Sequence, residues 1–219
     1  MDVFEIMRAR HSVRRYADRP VEDEKRAVLN ELCDKINWDN DLHIQIMYDE
    51  PRCFDSFMAH YGNFSGVNNY ISLVGKKSSN LEETLGYYGE QLVLKAQEIG
   101  LNTCWVALTH GKSRAEVNKG EKEVCIISLG YGIDGGVPHR SKSVEELCRG
   151  ENLPEWFLKG MEDVLLAPTA VNQQKFFFDL LSDGAVRATA GKGFYTELDL
   201  GIGKLHFEYG AGVPVTFAK

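Results

Sequence analysis

Apolar and polar residues along this chain switch between two periods, and the switches mark its elements. Val3, Ile6 and Met7 recur at helical spacing and predict a short helix over 3–10. Glu22-Asp23-Glu24 opens a second helix reaching about Asn37, because acidic side chains suit the positive N-terminal end of a helix. Leu42 to Tyr48 alternates and predicts a strand. Residues 49–66 have no period; Pro51, Gly62 and Gly66 predict a loop there. Tyr70 to Gly75 is a strand, and Leu81 to Ile99 is a long helix stopped at Gly100. The apolar runs Thr103 to Leu108 and Val124 to Leu129 predict buried strands, followed by a glycine-rich turn over 130–136. Pro154 precedes a helix at about 155–166. Strands follow near 175–181 and 184–190, then a helix over about 196–209.

Helices come first, then strands interleaved with helices, so the fold class is α+β, in a three-layer α-β-α arrangement. One similarity is internal. Gly89 to Gly100 and Gly201 to Gly212 share one glycine separation, and each leads into an extended apolar run. The tail reads as a shortened second copy of residues 25–108, or as a chance match of two glycine-ended helices.

The chain has 219 residues, 43% of them hydrophobic and 26% charged, which suits a globular protein with a substantial core. Its net charge of -7 argues against a nucleic-acid partner. No apolar run approaches the roughly 20 residues of a membrane span. The first residues lack a secretory signal, so a cytoplasmic protein is expected. Five scattered cysteines form no C-x-x-C pair, and the histidines show no metal-ligand spacing; neither a disulfide framework nor a metal is expected.

Against this acidic background two basic clusters stand out, at 8–15 and 139–142. In the first, Arg10-His11-Ser12-Val13-Arg14 follows the N-terminal helix. Arg offers a planar fork that holds two phosphate oxygens and stays charged at physiological pH. In the second, Arg140 and Lys142 follow the glycine-rich turn. A third segment, Pro168-Thr169-Ala170 with Asn172 and Gln174, supplies amides that both donate and accept, suited to the edge of a planar heterocycle. Each has a plainer reading: His11 as a helix cap, Asn172 as a turn residue, Arg140 and Lys142 as a solvated loop. The aromatics Phe54, Phe57, Tyr61 and Phe64 read as core or lid packing, or as the lining of an acceptor pocket.

These segments together resemble the FMN-dependent nitroreductase family, in particular its branch of TM nitroreductases. Arg10-His11-Ser12-Val13-Arg14 resembles the family's R-x-S-x-R/K motif. Pro168 to Gln174 resembles its P-S-S-x-N-x-Q segment, Gly100 to Trp105 its glycine corner, and Ile127 to Gly132 with His139 to Lys142 its late strand and basic tail. Two residues depart from the pattern: Ala170 stands where serine is common, and Lys175 where proline is usual. The amide segment also lies far downstream of its usual place after the first helices.

The resemblance implies a nitroreductase-like fold, with FMN held between subunits of a homodimer. If the tail is a second copy, one chain forms a pseudo-dimer by itself. Residues 1–150 would then supply the phosphate half, and residues 151–219 the segment completing the flavin-ring site. It further implies contacts from Arg10, Arg14, Arg140 and Lys142 to the phosphate, and from Ser12 and His11 to the phosphate or ribityl chain. Thr169, Asn172 and Gln174, with Pro168 and Ala170 beside them, would meet the ring. The implied activity is ping-pong reduction of a small-molecule nitroaromatic or quinone acceptor by NADH or NADPH. A non-catalytic FMN carrier or sensor would carry the same motifs.

Overall fold

The computed structural model describes residues 2–150 and 152–218. In chain order the elements are α1 (Val3–Ala9), α2 (Asp23–Asn40), β1 (Gln45–Met47), α3 (Phe57–Tyr61), β2 (Asn69–Lys76), α4 (Leu81–Glu98), β3 (Asn102–Val106) and β4 (Glu121–Gly130). They continue with α5 (Val144–Leu147), β5 (Cys148–Arg149), α6 (Glu155–Val164), β6 (Phe176–Leu180), β7 (Val186–Ala190) and α7 (Thr196–Ala211). Short 3-10 turns lie at Pro51–Cys53 and Ala170–Asn172. The chain forms two compact units. One comprises Ala9–Leu81 and Leu92–Pro138, the other Met1–Arg8, Glu82–Gln91 and His139–Lys219. Among the described residues no helix is long and apolar enough to cross a membrane.

The first unit is built on an antiparallel sheet of order β1-β2-β4-β3. β2 is buried at every position but Lys76, as a central strand covered on both faces must be, and Ile71, Leu73 and Val74 form its apolar middle around the buried Ser72. α4 ends as its glycine predicts. Gly100 takes φ +78°, its N–H donates to the Gln97 carbonyl, and Leu101 N–H donates to the Ala96 carbonyl at 2.8 Å. These are the two bonds of a Schellman cap.

Residues 49–66 depart from the predicted loop. The Pro51–Cys53 turn and α3 fold the segment back so that Phe54 and Phe64 enter the core with Tyr70, Tyr16 and Val13. The Phe54 and Phe64 rings meet at 5.1 Å and 60°, the tilted arrangement that aromatic quadrupoles favour. Phe57 and Tyr61 point to solvent instead. The aromatic run is thus two core residues and two surface residues, in place of one continuous lining.

In the second unit α7 is the centre. Eleven of its residues are buried, on every side of the helix, which explains its lack of an amphipathic stripe. Phe207 stacks on Phe178 of β6 at 5.2 Å and meets Phe157 of α6 edge-on at 5.2 Å. Against the first half of α4, glycine lets two backbones touch. A Cβ on Gly201 would stand 1.9 Å from the Glu83 carbonyl oxygen, and one on Gly86 2.1 Å from that of Leu198. Polar pairs flank this crossing: Lys204 with Glu83 at 2.5 Å, Tyr87 with Glu208, and His206 with Glu90 at 3.1 Å. β5, β6 and β7 form a second sheet in that order, β5 parallel and β7 antiparallel to β6. The tail after α7 departs from the second-copy reading. Gly212 ends the helix at φ +61°, but the run to Phe217 forms only an isolated bridge to Val186 where the earlier run forms β3.

Candidate functional site

The N-terminal basic run is held by its backbone and not by a helix. After α1 the chain extends along the sheet edge: Ser12 bridges Thr103 of β3, and Val13 N–H donates to the Thr103 carbonyl at 3.0 Å. On one flank Ser65 N–H donates to the Arg14 carbonyl, and Tyr16 N–H to that of Ser65. On the other, Ala17 N–H donates to the Tyr131 carbonyl, and Ile133 N–H to that of Arg15. Val13 and Tyr16 point into the core, where the Tyr16 hydroxyl lies 2.8 Å from both the Val13 carbonyl and Ser128 Oγ. Arg14 and Arg15, between these two anchors, are exposed.

The cations of this run differ in their surroundings. Arg15 is paired with Asp134 at 2.6 Å, and its hydrogen bond, with one from Gly136 N–H, holds the Asp134 carboxyl below the usual range. Arg14 has no ion pair among the described residues; its guanidinium lies 5.9 Å from the centre of the Phe64 ring. Arg10 is only 3% exposed. Burial, and then the charge of Arg10, lower the His11 pKa, so His11 is neutral at pH 7 and able to accept or donate one hydrogen bond. Burial raises the Cys104 thiol, while Arg14, a hydrogen bond from Ser12 and Arg10 act against it. The glycine-rich turn closes over this run. At Gly136, φ is +70° and a Cβ would stand 2.9 Å from His11 Cβ and 3.0 Å from the Ser12 carbonyl oxygen, so only glycine fits. Two guanidinium groups, a hydroxyl and an imidazole within five residues form a donor set for a phosphate monoester.

The other candidate residues meet in the second unit. Gln174, 4% exposed, is the hub. Its Oε1 accepts from Lys142 N–H at 2.8 Å, while its Nε2 donates to the Arg140 carbonyl at 3.0 Å and to Asn172 Oδ1 at 2.8 Å. Lys142 Nζ donates to the Gln174 carbonyl, Asn172 Nδ2 to that of Arg140, and Gln174 N–H to Thr169 Oγ1. The two segments predicted separately, 140–142 and 169–174, are therefore one hydrogen-bonded cluster. Pro168 is buried beside it. Val171, Asn172 and Gln174 all have positive φ, at +46°, +55° and +45°. For a β-branched residue such as Val171 that is a strained state of the kind that gathers at functional sites.

Asp199, on the first turn of α7, holds this cluster from beneath and was missed by sequence reading. Its Oδ1 accepts from Ala170 N–H at 2.9 Å and its Oδ2 from Gln173 Nε2 at 2.8 Å. Burial raises its pKa to about 6 against those two bonds. The available signal was an acidic residue within the apolar run from Leu198 to Ile202.

The family model described as "Putative TM nitroreductase" matches residues 2–211. The chain belongs to this family. Among solved structures it is similar to a "putative nitroreductase" of Thermotoga maritima MSB8, at 23% identity and TM-score 0.67, over 95% of this chain and 83% of that one. It is also similar to a "putative nitroreductase in complex with FMN" of Desulfovibrio desulfuricans, at 19% identity and TM-score 0.54, over 69% of this chain and 98% of that one. A third is the "Putative NADH dehydrogenase/NAD(P)H nitroreductase" of Bacteroides thetaiotaomicron VPI-5482, at 19% identity and TM-score 0.53, over 68% of this chain and 96% of that one. No curated protein sequence matches the chain. The fold is the α+β fold of the nitroreductases.

Proposed function

We propose that this family member is an FMN-dependent oxidoreductase, drawing on NADH or NADPH and reducing nitroaromatic or quinone-type acceptors in the cytoplasm. The observation that carries the reading is the Arg10–Arg14 run, whose backbone is fixed on both flanks and whose donors suit a phosphate. FMN binding by a structural neighbour of the same fold supports it, and five free buried thiols suit a reducing compartment.

When bound, FMN would supply the redox chemistry that links a nicotinamide donor to the acceptor in alternating half-reactions. The protein binds and orients. Arg10 and Arg14 neutralise the phosphate, Ser12 donates to it, and neutral His11 meets the phosphate or ribityl chain without adding charge. Arg140 and Lys142 are assigned to the phosphate, and Pro168, Thr169, Ala170 and Asn172 to the flavin ring, on family resemblance. Gln174 receives a different role. Its amide is engaged by Lys142, Arg140 and Asn172, so it positions that segment and does not read the cofactor itself. One basic motif per chain implies one FMN per chain.

The test is the absorbance spectrum of the purified protein, identification of the released cofactor, and oxidation of NADH and NADPH with menadione or a nitrofuran. The Arg10→Ala/Arg14→Ala variant is expected to purify colourless and to need FMN at least about tenfold more concentrated for reconstitution, as two charge-assisted contacts are lost. Stoichiometric FMN retained by that variant would overturn the phosphate assignment. Bound FMN without turnover would identify a carrier or sensor.

A further inference from the structure

In the first unit, the fourteen or so residues between β3 and β4 form a long connection without regular structure, of the kind that carries function in compact domains. Its middle is nevertheless fixed. Gly111 N–H donates to the Cys53 carbonyl at 2.6 Å, and a Cβ on Gly111 would lie 3.1 Å from that oxygen and 3.2 Å from Ser56 Cβ. Arg114 N–H donates to the buried Tyr70 hydroxyl at 2.8 Å. Glu116 is bound through both backbone groups by the Gln45 amide, at 2.9 and 2.8 Å. The facing segment is fixed as well: Glu50 accepts from Arg52 N–H and Cys53 N–H at 3.2 Å each.

Between these two segments lies a cavity of about 570 Å³, lined by Arg52, Ser56, Lys112, Ser113 and Arg114, with Gly111 and Ala115. Three cations face it. One of them has a carboxylate partner: Glu50 lies 3.6 Å from Arg114 Nε and is also held by two backbone donors. Three cations and no carboxylate therefore line this opening, two of the cations without an ion pair among the described residues, in a chain whose net charge is -7. Both hydroxyls accept one local bond, Ser56 from Ala59 N–H and Ser113 from Ala115 N–H, and each has its own proton to donate.

We infer that this cavity is a second anion site, built for a phosphate monoester carried on a small organic body. A carboxylate needs one cation; a phosphate monoester carries about two charges at neutral pH and matches these two cations. The volume exceeds what a phosphate alone fills and falls in the range of small-ligand pockets. The phosphate can come from a 2′-phosphorylated nicotinamide donor or from a separate phosphorylated ligand. The inference does not rest on the flavin reading.

Calorimetric titration of full-length protein in excess FMN, which fills any flavin site, with adenosine 2′-monophosphate and with inorganic phosphate tests it. Wild-type protein is expected to bind both. Arg52→Ala/Lys112→Ala, which alters exposed side chains only, is expected to weaken both by about tenfold or more with an unchanged melting temperature. Absent binding heat for both probes, or equal affinity in the double variant, would overturn the site. Donor kinetics separate the sources. A KM for NADPH raised about tenfold with NADH unaffected identifies the donor's 2′-phosphate. Unaltered donor kinetics alongside lost phosphate binding identify a separate ligand, and either result sustains the site. A protein that oxidises neither nucleotide would end the oxidoreductase reading, with the calorimetry still deciding the cavity.

Discussion

Asp199 is the residue on which the strained 170–174 turn depends, and its ionisation can be followed. It is 1% exposed, and burial lifts its pKa from 3.8 to about 6. A carboxyl raised on folding favours the native state most while protonated, below about pH 4. That contribution is lost as the pH climbs to 6, and above it the buried charge costs about 3 kcal/mol relative to a neutral group. Asp199→Asn stays neutral and can still accept from Ala170 N–H through its carbonyl oxygen. Its stability relative to the wild type is therefore expected to rise by about 1–3 kcal/mol between pH 4.5 and 7.5. Urea midpoints of both proteins at the two pH values measure this. A difference that does not move with pH would mean that Asp199 titrates as an ordinary surface carboxylate. Asp163 is lifted to about 6 as well, but it is common to both proteins and cancels in the comparison.

At the scale of elements, helix propensity and packing oppose each other on α7. Gly201 lies inside a helix, where alanine is favoured by about 1 kcal/mol. Yet a methyl group there would stand 1.9 Å from the Glu83 carbonyl oxygen, backbone that cannot step aside without moving α4. Packing wins: Gly201→Ala is expected to lower stability by about 3 kcal/mol or more, or to leave the protein insoluble, and thermal melting decides. A melting temperature equal to wild type would show that α4 and α7 cross less closely. Sequence revealed the long elements well, because α2, α4, α7 and β2 are extended runs bounded by clear start and stop residues. It did not reveal α3, only five residues long, whose formation depends on the Ser56 cap and on the core that Phe54 and Phe64 enter. The Arg10–Arg14 run was legible because its chemistry is contiguous. The fastening of Gln174 to Arg140 and Lys142 was not, since those bonds cross more than thirty residues and leave no spacing to count. The match between the two glycine-bounded helices was legible, but identical spacing leads to a strand in one place and to an isolated bridge in the other.

The largest scale is set by how the chain is divided. The unit that contains α6, α7 and the β5-β6-β7 sheet is assembled from three separate stretches, Met1–Arg8, Glu82–Gln91 and His139–Lys219. Its short middle stretch is disproportionately important. Within it lie Glu83, Gly86, Tyr87 and Glu90, which meet Lys204, Leu198, Glu208 and His206 of α7. His206 shows why such partners are hard to replace. Fully buried, it faces an acceptor on each ring nitrogen, the Asp163 carbonyl at 3.1 Å and the Glu90 carboxyl at 3.1 Å. Without Glu90 one side of a buried imidazole would lack its partner, at a cost of about 1–3 kcal/mol. The glycine face of α7 would also be open to water. A polypeptide of residues 139–219 alone is therefore expected to lack a cooperative thermal transition by circular dichroism, whereas the full chain melts cooperatively. A sharp transition in the isolated fragment would show that α7 finds its structure without α4, and that the polar pairs between them fasten a unit already formed.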